Sequence, residues 1–417
     1  MKTYIFIIRR ICNITGAQQY VYNKKRFLES QGWRVLVFSS IKGSILIEDF
    51  EQYKDNIYAS LYYSPSYFRK KDVERTLNSI INKIGSVQAD SCVIESDSVP
   101  RAIWAELIAS RLKCCHLLLS VQERHDYDED VKEFLRFKYA RHELAGITCE
   151  SVNHMLGDNS LKQRSDSFFK AYCNNVIQDI EDNYSKLLNP DSDYTIGSLG
   201  RLDKPCTKAI LSGLLDYVMY HSDKSFNIVM IGGGLIAGRK SSLRKKLKKC
   251  SNVNLVFTGD VYPVPLSFAK KMDVFVSTAG SSYATYGCGI PTVKMNTITG
   301  KPIGIIGLDF DLKEKNLYSD EQDITFADCI ERAFSEREKI EYKYSIDENY
   351  YKRMNEEFMR QLLFSDNGKE REYYDDKLLF KLKRPKLNQL LGCLLLKIFG
   401  IGIQEFFWKE FRNADNS

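Results

Sequence analysis

Residues 254–293, NLVFTGDVYPVPLSFAKKMDVFVSTAGSSYATYGCGIPTV, decide the fold. Two short apolar runs, Leu255–Phe257 and Val274–Val276, each end in small or polar residues. Such runs are typical of buried strands, and the polar segment between them predicts a helix. Ser277–Ser282 follows as a small-residue loop, and a further helix is predicted at Tyr283–Gly287. Strand and helix in alternation predict a parallel sheet whose ligands lie at the carboxyl ends of the strands.

The same alternation begins at the N-terminus. Tyr4–Ile8 is predicted as a buried strand, Tyr20–Ser30 as a helix and Trp33–Ser39 as the next strand, which completes a βαβ unit. The turn-rich segment between the first strand and the helix contains Gly16, and a glycine there lets a ligand approach the backbone at a helix N-terminus. This signal alone is weak, because many such turns contain glycine for steric reasons.

Two such series predict two domains, since 417 residues exceed what one hydrophobic core usually serves. The first series ends near Ile177, and the polar segment that follows contains Asn189-Pro190-Asp191, which is typical of a linker. The predicted boundaries are 1–177 for the first Rossmann-like domain, 178–193 for the linker, 194–345 for the second Rossmann-like domain, and 346–417 for a closing helix and a basic, apolar tail.

Composition excludes several classes of protein. The net charge of +6 is small for this length and accompanies no recognisable nucleic-acid-binding module. The eleven cysteines form no CxxC pair, so they indicate neither a zinc site nor a disulfide framework and fit reduced thiols in the cytoplasm. The N-terminus is interpreted as a strand and not a signal peptide, and no uncharged apolar stretch reaches the roughly 20 residues that span a bilayer.

Four passages resemble the GT-B glycosyltransferases of family 4, the glycosyl transferases group 1, over roughly residues 1–364. Their order and spacing across two α/β halves carry the resemblance. The passages are Gly16-Ala17-Gln18, the strand end at His125, Gly200-Arg201-Leu202, and residues 254–293 with Gly259-Asp260-Val261, Asp273–Val276 and Gly287–Pro291. The resemblance implies an α/β protein of GT-B fold, with two Rossmann-like domains facing a central cleft and a C-terminal helical tail.

The resemblance also implies a nucleotide-sugar donor and no resident metal or cofactor. A diphosphate is well held by the N–H groups at a helix N-terminus and by cations such as Arg201, whose guanidinium binds phosphate in a bidentate manner. The second cation is Lys204 or Lys208, although Cys206 stands where the family usually has its lysine. The expected donor-binding residues are Arg201, Lys204, Gly259, Val261, Gly280, Ser281, Ser282 and Thr285.

This chain departs from the family in its donor loop. Many members carry two glutamates there, separated by seven residues. Here Ala284 occupies the second position, and no carboxylate occurs between Asp273 and Asp309. Contact with the donor sugar or ribose then falls to Ser281, Ser282, Thr285 or the backbone, and the family's stereochemical outcome is not carried over. A non-catalytic GT-B partner or scaffold protein is therefore the alternative function.

His125 is the expected catalytic residue because it follows a buried strand, Cys115–Val121, at the end where an open sheet places its ligands. Glu123 and Asp126 are close in sequence and are expected to orient it or to act as the base. Gly16, Ala17 and Gln18 are expected on the acceptor side, as the resemblance implies.

Two further segments each have two interpretations. Gly232–Gly238 follows a strand and is the nearest match to a dinucleotide fingerprint, so an NAD(P)-dependent oxidoreductase is a less favoured third function. The tail 378–408 is basic and then apolar. It predicts either an interfacial helix that meets anionic lipid or a helix that packs back onto the protein or a second copy.

The sequence thus predicts a metal-independent hexosyltransferase of cell-surface glycan synthesis. Its partners are a nucleotide-sugar donor and a polysaccharide or lipid-linked saccharide acceptor, without nucleic acid. Its expected location is cytoplasmic, peripheral at the inner face of the membrane.

Overall fold

The computed structural model describes most of the chain. The described residues are 1–12, 14–120, 127–147, 149–158, 167, 176–234, 251–297, 299–311, 324–343, 350–363, 371–382 and 390–400. They divide into two compact units. The first unit takes its described residues from Met1–Asn13, Tyr20–Ala171 and Asp347–Ser417, and the second takes them from Ile14–Gln19 and Tyr172–Ile346.

The first unit contains a five-stranded sheet in the order β2-β1-β3-β4-β5. All neighbouring strands are parallel, and nearly every strand residue is buried, as expected for a parallel sheet. The strands are β1 (Thr3–Arg10), β2 (Arg34–Ile41), β3 (Cys92–Ser96), β4 (Cys115–Ser120) and β5 (Leu144–Gly146). The helices are α1 (Gly16–Ser30), α2 (Lys70–Ile84), α3 (Val99–Leu112), α4 (Glu129–Ala140) and α5 (Cys149–Leu156).

The second unit contains a six-stranded sheet in the order β13-β12-β11-β7-β8-β9, with only β12 and β13 antiparallel. The strands are β7 (Tyr194–Leu199), β8 (Phe226–Ile231), β9 (Val253–Gly259), β11 (Val274–Thr278), β12 (Thr292–Met295) and β13 (Pro302–Ile305), and two short strands, β6 (Ile177–Gln178) and β10 (Val264–Pro265), pair separately. The helices are α6 (Pro205–Tyr220), α7 (Leu266–Ala269), α8 (Ala279–Tyr286) and α9 (Phe326–Ser335).

The apolar runs of the decisive stretch form strands as predicted. Leu255–Phe257 lies in β9 and Val274–Val276 lies in β11. Val274 and Val276 enter one apolar core with α6 and α9, while Phe275 points into a second core with Phe268 of α7. This alternation follows the two-residue period of a strand that is buried on both faces.

Helix starts differ from the predictions at two places. The segment before Tyr20 was expected to be a turn, yet α1 begins at Gly16. Ser277–Ser282 was expected to be a loop, yet Ser277 and Thr278 complete β11 and α8 begins at Ala279. Small residues favour loops only weakly, and here the adjoining strand and helix include them because that arrangement pairs their backbone N–H and C=O groups.

The C-terminal segment packs on the first unit where it is described. It forms α10 (Tyr350–Leu363), α11 (Asp376–Leu379) and α12 (Leu390–Phe399). Leu379, Leu382 and Leu396 are buried in the same core as Trp104 and Phe134. The aromatic ring of Tyr374 packs edge-on against those of Phe134 and Phe137. No helix among the described residues is long and apolar enough to cross a bilayer.

Candidate functional site

The carboxyl ends of β7, β8 and β11 bring three of the predicted segments together. The Gly200 N–H donates to the Ile231 carbonyl at 2.9 Å, and the Leu202 N–H donates to the Gly233 carbonyl at 2.8 Å. A Cβ added to Gly200 would lie 3.5 Å from Oγ of Ser281. Gly200 therefore borders both the glycines after β8 and the first turn of α8.

Gly200 and Gly232 are glycines for a geometric reason. Their φ angles are 149° and 144°, which residues with a Cβ rarely adopt. A Cβ on Gly232 would also overlap the carbonyl oxygen of Gly200. The close approach of the two loops thus explains the glycine at 232 without a dinucleotide.

The N-terminus of α8 supplies backbone N–H groups at this edge of the sheet. Thr278 caps the helix without a side-chain hydrogen bond, so the first-turn N–H groups are not satisfied by a capping side chain. The Ser282 hydroxyl is buried and donates to the Ala279 carbonyl at 2.6 Å, and the Thr285 hydroxyl donates to the Ser281 carbonyl at 3.1 Å. The Ser281 side chain, in contrast, is half-exposed, and its hydroxyl borders Gly200.

Two cations precede α6 on the same side. Arg201 is half-buried, and its Nε lies 3.3 Å from Oδ1 of Asp203. Lys204, also half-buried, is the N-cap residue of α6, where its charge opposes the helix dipole. Cys206 is buried, and Lys208 is exposed one turn into the helix. Arg201 and Lys204 therefore lie between the Gly200 turn and the first turn of α6.

Gly259 and Val261 lie at the end of β9. Gly259 has a φ of 74° and is exposed, whereas Val261 is buried in the core beneath it. Between them, the exposed Asp260 places its carboxylate against Gly233. Val261 is thus available to a ligand only through its backbone.

Sequence reasoning left two carboxylates out of the donor set. Asp260 borders Gly233, and a Cβ added to Gly234 would lie 3.3 Å from Cβ of Asp203. Asp260 directly follows the end of β9 and Asp203 lies four residues beyond the end of β7, but the resemblance implied only their neighbours Arg201 and Gly259. The site therefore contains acidic side chains even though the α8 segment has none.

The similarity of this chain to known proteins is one of structure. No protein-family profile matches the chain, and no curated protein matches it. Among solved structures, Anabaena Alr3699/HepE in complex with UDP-glucose aligns with a TM-score of 0.52 at 12% identity, covering 91% of this chain and 98% of that one. Sucrose-phosphate synthase from Thermosynechococcus elongatus aligns with a TM-score of 0.51 at 13% identity, covering 88% and 98%. A Methanocaldococcus jannaschii UDP-GlcNAc 2-epimerase aligns with a TM-score of 0.44 at 13% identity, covering 85% and 98%.

The chain has the GT-B fold. The parallel sheet of the first unit and the mostly parallel sheet of the second, with their helices, are the two Rossmann-like domains of that fold, as the sequence predicted. At these identities the likeness concerns the fold, so the site rests on the geometry described above.

The predicted acceptor-side residues lie at the N-terminus of α1. Gly16, Ala17 and Gln18 form the first turn of α1, where Gly16 is exposed and Gln18 is buried. The Thr15 hydroxyl donates to the Gln18 side chain, and this bond holds the start of the helix. The predicted catalytic residues Glu123, His125 and Asp126 lie outside the described residues, between Ser120 at the end of β4 and Tyr127.

A histidine that sequence reasoning did not single out has the contacts of an acid–base relay. Nδ1 of His116 lies 2.6 Å from Oε2 of Glu106, and its Nε2 lies 3.0 Å from Oγ of Ser96. All three residues are fully buried, and burial together with Lys138 lowers the pKa of His116. Because no reacting molecule has access to Ser96, this relay is part of the core and not a catalytic centre.

The described residues contain no group of three or more His, Cys, Asp or Glu side chains arranged to hold a metal ion. Arg201 and the first-turn N–H groups of α8 suit an anionic ligand beside Gly200, whereas the carboxylates of Asp203 and Asp260 border the glycines after β8.

Proposed function

We propose that the protein is a glycosyltransferase that moves a sugar from a nucleotide-sugar donor to a polysaccharide or lipid-linked saccharide acceptor in cell-surface glycan synthesis. The observation that carries the proposal is the proximity of the Gly200 turn to Ser281 at the N-terminus of α8. The likeness of the fold to a protein solved with UDP-glucose supports this choice of ligand.

The donor diphosphate occupies the space beside Gly200 in this proposal. The first-turn N–H groups of α8, at Gly280 and Ser281, bind its oxygens, and Arg201 and Lys204 neutralise its charge. As the glycosidic bond breaks, negative charge accumulates on the leaving phosphate oxygen. Fixed N–H dipoles and cations stabilise that charge without reorganisation, so no metal or further cofactor is required.

Asp260 takes the place of the absent glutamates. Its exposed carboxylate at Gly233 is an acceptor for hydroxyl groups of the ribose or the donor sugar, while Gly259 and the Val261 backbone face the base. Ser282 and Thr285 maintain the shape of α8, because their hydroxyls donate to its carbonyl oxygens.

The acceptor side of the proposal rests on sequence position. His125 accepts the proton of the attacking hydroxyl, with Glu123 and Asp126 orienting it, and Gly16, Ala17 and Gln18 border the acceptor. The enzyme works in the cytoplasm, peripheral at the inner face of the membrane, where lipid-linked acceptors are available.

Substitution of Arg201 by alanine tests the donor site. Loss of charged hydrogen bonds to phosphate is expected to weaken UDP-sugar binding about ten- to hundredfold, measured by calorimetry across a panel of nucleotide-sugars. Arg337→Ala, an exposed arginine of the same domain, is the matched control and is expected to leave the affinity unchanged. Equal affinities for the two variants would refute the site, and sugar transfer to membrane extracts tests the reaction.

A non-catalytic GT-B scaffold is the second candidate. It is favoured by two observations. The hydroxyls of Ser282 and Thr285 donate within α8, and the chain between Asp273 and Asp309 has no carboxylate. The scaffold predicts thermal stabilisation by a nucleotide-sugar without hydrolysis or transfer. Transfer that is lost in Asp260→Asn would instead support the enzyme.

A further inference from the structure

Helix α12 has one face on the protein and one face in solvent. Cys393 and Leu396 are buried against the first unit, and Sγ of Cys393 lies 3.7 Å from the Tyr67 carbonyl. Around the rest of the helix, four large apolar side chains are exposed. They are Leu391 (70%), Leu394 (54%), Ile398 (53%) and Phe399 (61%).

Spacing makes these four side chains one surface. Leu391, Leu394 and Ile398 are separated by three and four residues and lie on one side of the helix, with Phe399 adjacent. An isolated exposed leucine is ordinary, but a contiguous apolar patch on a helix marks an interaction surface. We call this surface the α12 face.

Basic side chains occur on α12 and on the segments that pack beside it. Lys397 is exposed on the helix itself. The Ser64 hydroxyl donates to the Leu382 carbonyl at 3.0 Å, and the carbonyl of Tyr67, three residues later, contacts Cys393. Because one short turn contacts both α12 and the end of the α11 segment, the exposed Lys381 lies near α12. The exposed Lys70 and Lys71 follow that turn directly.

From residue 377 through α12 the sequence is basic. Asp375 and Asp376 stand at the start of α11, where Asp375 caps the helix. From 377 to 404 the sequence then contains Lys377, Lys381, Lys383, Arg384, Lys386 and Lys397 and no acidic residue. A partner for the α12 face must therefore offer an apolar interior and an anionic rim.

We propose that α12 docks on an anionic lipid surface, with Leu391, Leu394, Ile398 and Phe399 in the boundary between headgroups and acyl chains. Lys397, Lys381 and Lys70 contact the lipid phosphates in this arrangement. The inference deepens the proposed peripheral location of the enzyme, but its test needs no nucleotide-sugar, so either proposal stands if the other fails.

A bilayer surface fits better than a second copy of the chain. Pairing two α12 faces would bring the lysines of both copies together without acidic partners, and like charges repel. A helix of 10 residues is about 15 Å long, half the roughly 30 Å thickness of a bilayer core, so α12 lies on the surface.

Flotation with lipid vesicles tests the proposal. The full chain is expected to bind vesicles of phosphatidylglycerol and phosphatidylcholine in equal parts, and to bind phosphatidylcholine alone weakly. The variant L391Q/L394Q/I398Q is expected to bind the anionic vesicles at least about tenfold more weakly, since three apolar side chains no longer leave water. Lys397→Gln is expected to reduce binding about fivefold and to lessen its dependence on salt.

Two control variants test whether the loss of vesicle binding is specific to the α12 face. Met219 and Tyr220 are exposed at the end of α6 in the second unit, and M219Q/Y220Q should float like the wild type. Lys271→Gln changes one exposed charge in that unit and should also have no effect. All substituted side chains are exposed, so circular dichroism should show a folded chain.

Three results would overturn the inference. The wild type does not float with anionic vesicles, or L391Q/L394Q/I398Q floats equally well, or the wild type binds neutral and anionic vesicles alike. A wild-type dimer in sedimentation that dissociates in the triple variant, without vesicle binding by either, would assign the α12 face to a second copy.

Discussion

The Arg371 guanidinium donates from Nη1 to Oε1 of Glu143 at 2.6 Å, and this bond ties the C-terminal segment to the first domain. The other oxygen of Glu143 accepts from Nζ of Lys138 at 2.5 Å, and Lys138 also donates to Glu106 at 2.8 Å. Glu106 in turn accepts from the Tyr374 N–H at 3.1 Å. Two buried carboxylates of the first domain therefore hold residues 371–374, with Lys138 between them.

The two cations of this network should contribute unequally to stability. Lys138→Met removes the side chain that neutralises both carboxylates, and breaking a buried pair costs about 3–5 kcal/mol because a buried charge is left uncompensated. Arg371→Met should cost less, since Glu143 keeps Lys138 and Arg141. Urea denaturation gives the two free energies of unfolding.

The control for this comparison is an exposed residue on α4, the helix that contains Lys138. Arg136 pairs with Glu129 in solvent, and Arg136→Met should change the free energy of unfolding by less than about 1 kcal/mol. An Arg371→Met variant less stable than Lys138→Met would contradict the central role of Lys138.

The sequence predicts features that depend on neighbouring residues, and it does not predict contacts between residues that are distant in the chain. The strands were predictable because apolar runs such as Val274–Val276 reflect local burial. The order of motifs also predicted that the segment Gly200–Leu202 and Ser281 belong to one site, and in the structure Gly200 borders Ser281. The Glu143–Arg371 pair was not predictable, because its members are 228 residues apart and each is ordinary in its local sequence.

Within the candidate site, helix formation decides what two of the hydroxyl side chains contact. Ser282 and Thr285 have suitable hydroxyls for a ligand, but helix formation at Ala279 turns both toward carbonyl oxygens. Asp203 and Asp260 were missed because their importance comes from packing against Gly234 and Gly233, which a linear pattern does not reveal.

Lys24 should make the free energy of unfolding depend on pH in the alkaline range. It is buried and donates to Tyr4, Tyr20 and Glu95, and burial lowers its pKa to about 8 although Glu95 acts in the opposite direction. In the unfolded chain its pKa is about 10.4. Between these values the unfolded state binds more protons, so the contribution of Lys24 to the free energy of unfolding rises with pH, by roughly 3 kcal/mol in total.

Lys24→Met removes this titration. The difference in free energy of unfolding between the wild type and the variant should be constant below about pH 7 and should move in favour of the wild type toward about pH 10. Urea titrations at several pH values measure it. A difference that stays flat across this range would show that Lys24 is protonated in the folded chain throughout.

Asp203→Asn should strengthen donor binding. Asp203 pairs with Arg201 at 3.3 Å and competes with a diphosphate for the guanidinium. The pair is partly exposed and contributes about 0.2–1 kcal/mol, so its removal should raise the affinity for UDP by up to about fivefold, measured by calorimetry. Asp216→Asn, an exposed aspartate farther along α6, is the matched control. Weaker binding by Asp203→Asn would show that this carboxylate orients Arg201 or contacts the ligand.

Two helix glycines should respond differently to alanine. A Cβ at Gly392 of α12 would meet nothing within 4 Å, so Gly392→Ala should stabilise the helix by about 0.5–1 kcal/mol and slow amide exchange in α12 about two- to fivefold. At Gly213 of α6 the added Cβ would lie 3.0 Å from the Phe326 ring. The cost of displacing that ring offsets the stabilisation that alanine would otherwise give the helix. Exchange measured by mass spectrometry should therefore slow in α12 of Gly392→Ala and change less, or accelerate, in α6 of Gly213→Ala. Equal slowing in both helices would mean that α6 and α9 separate easily enough to accept the methyl group.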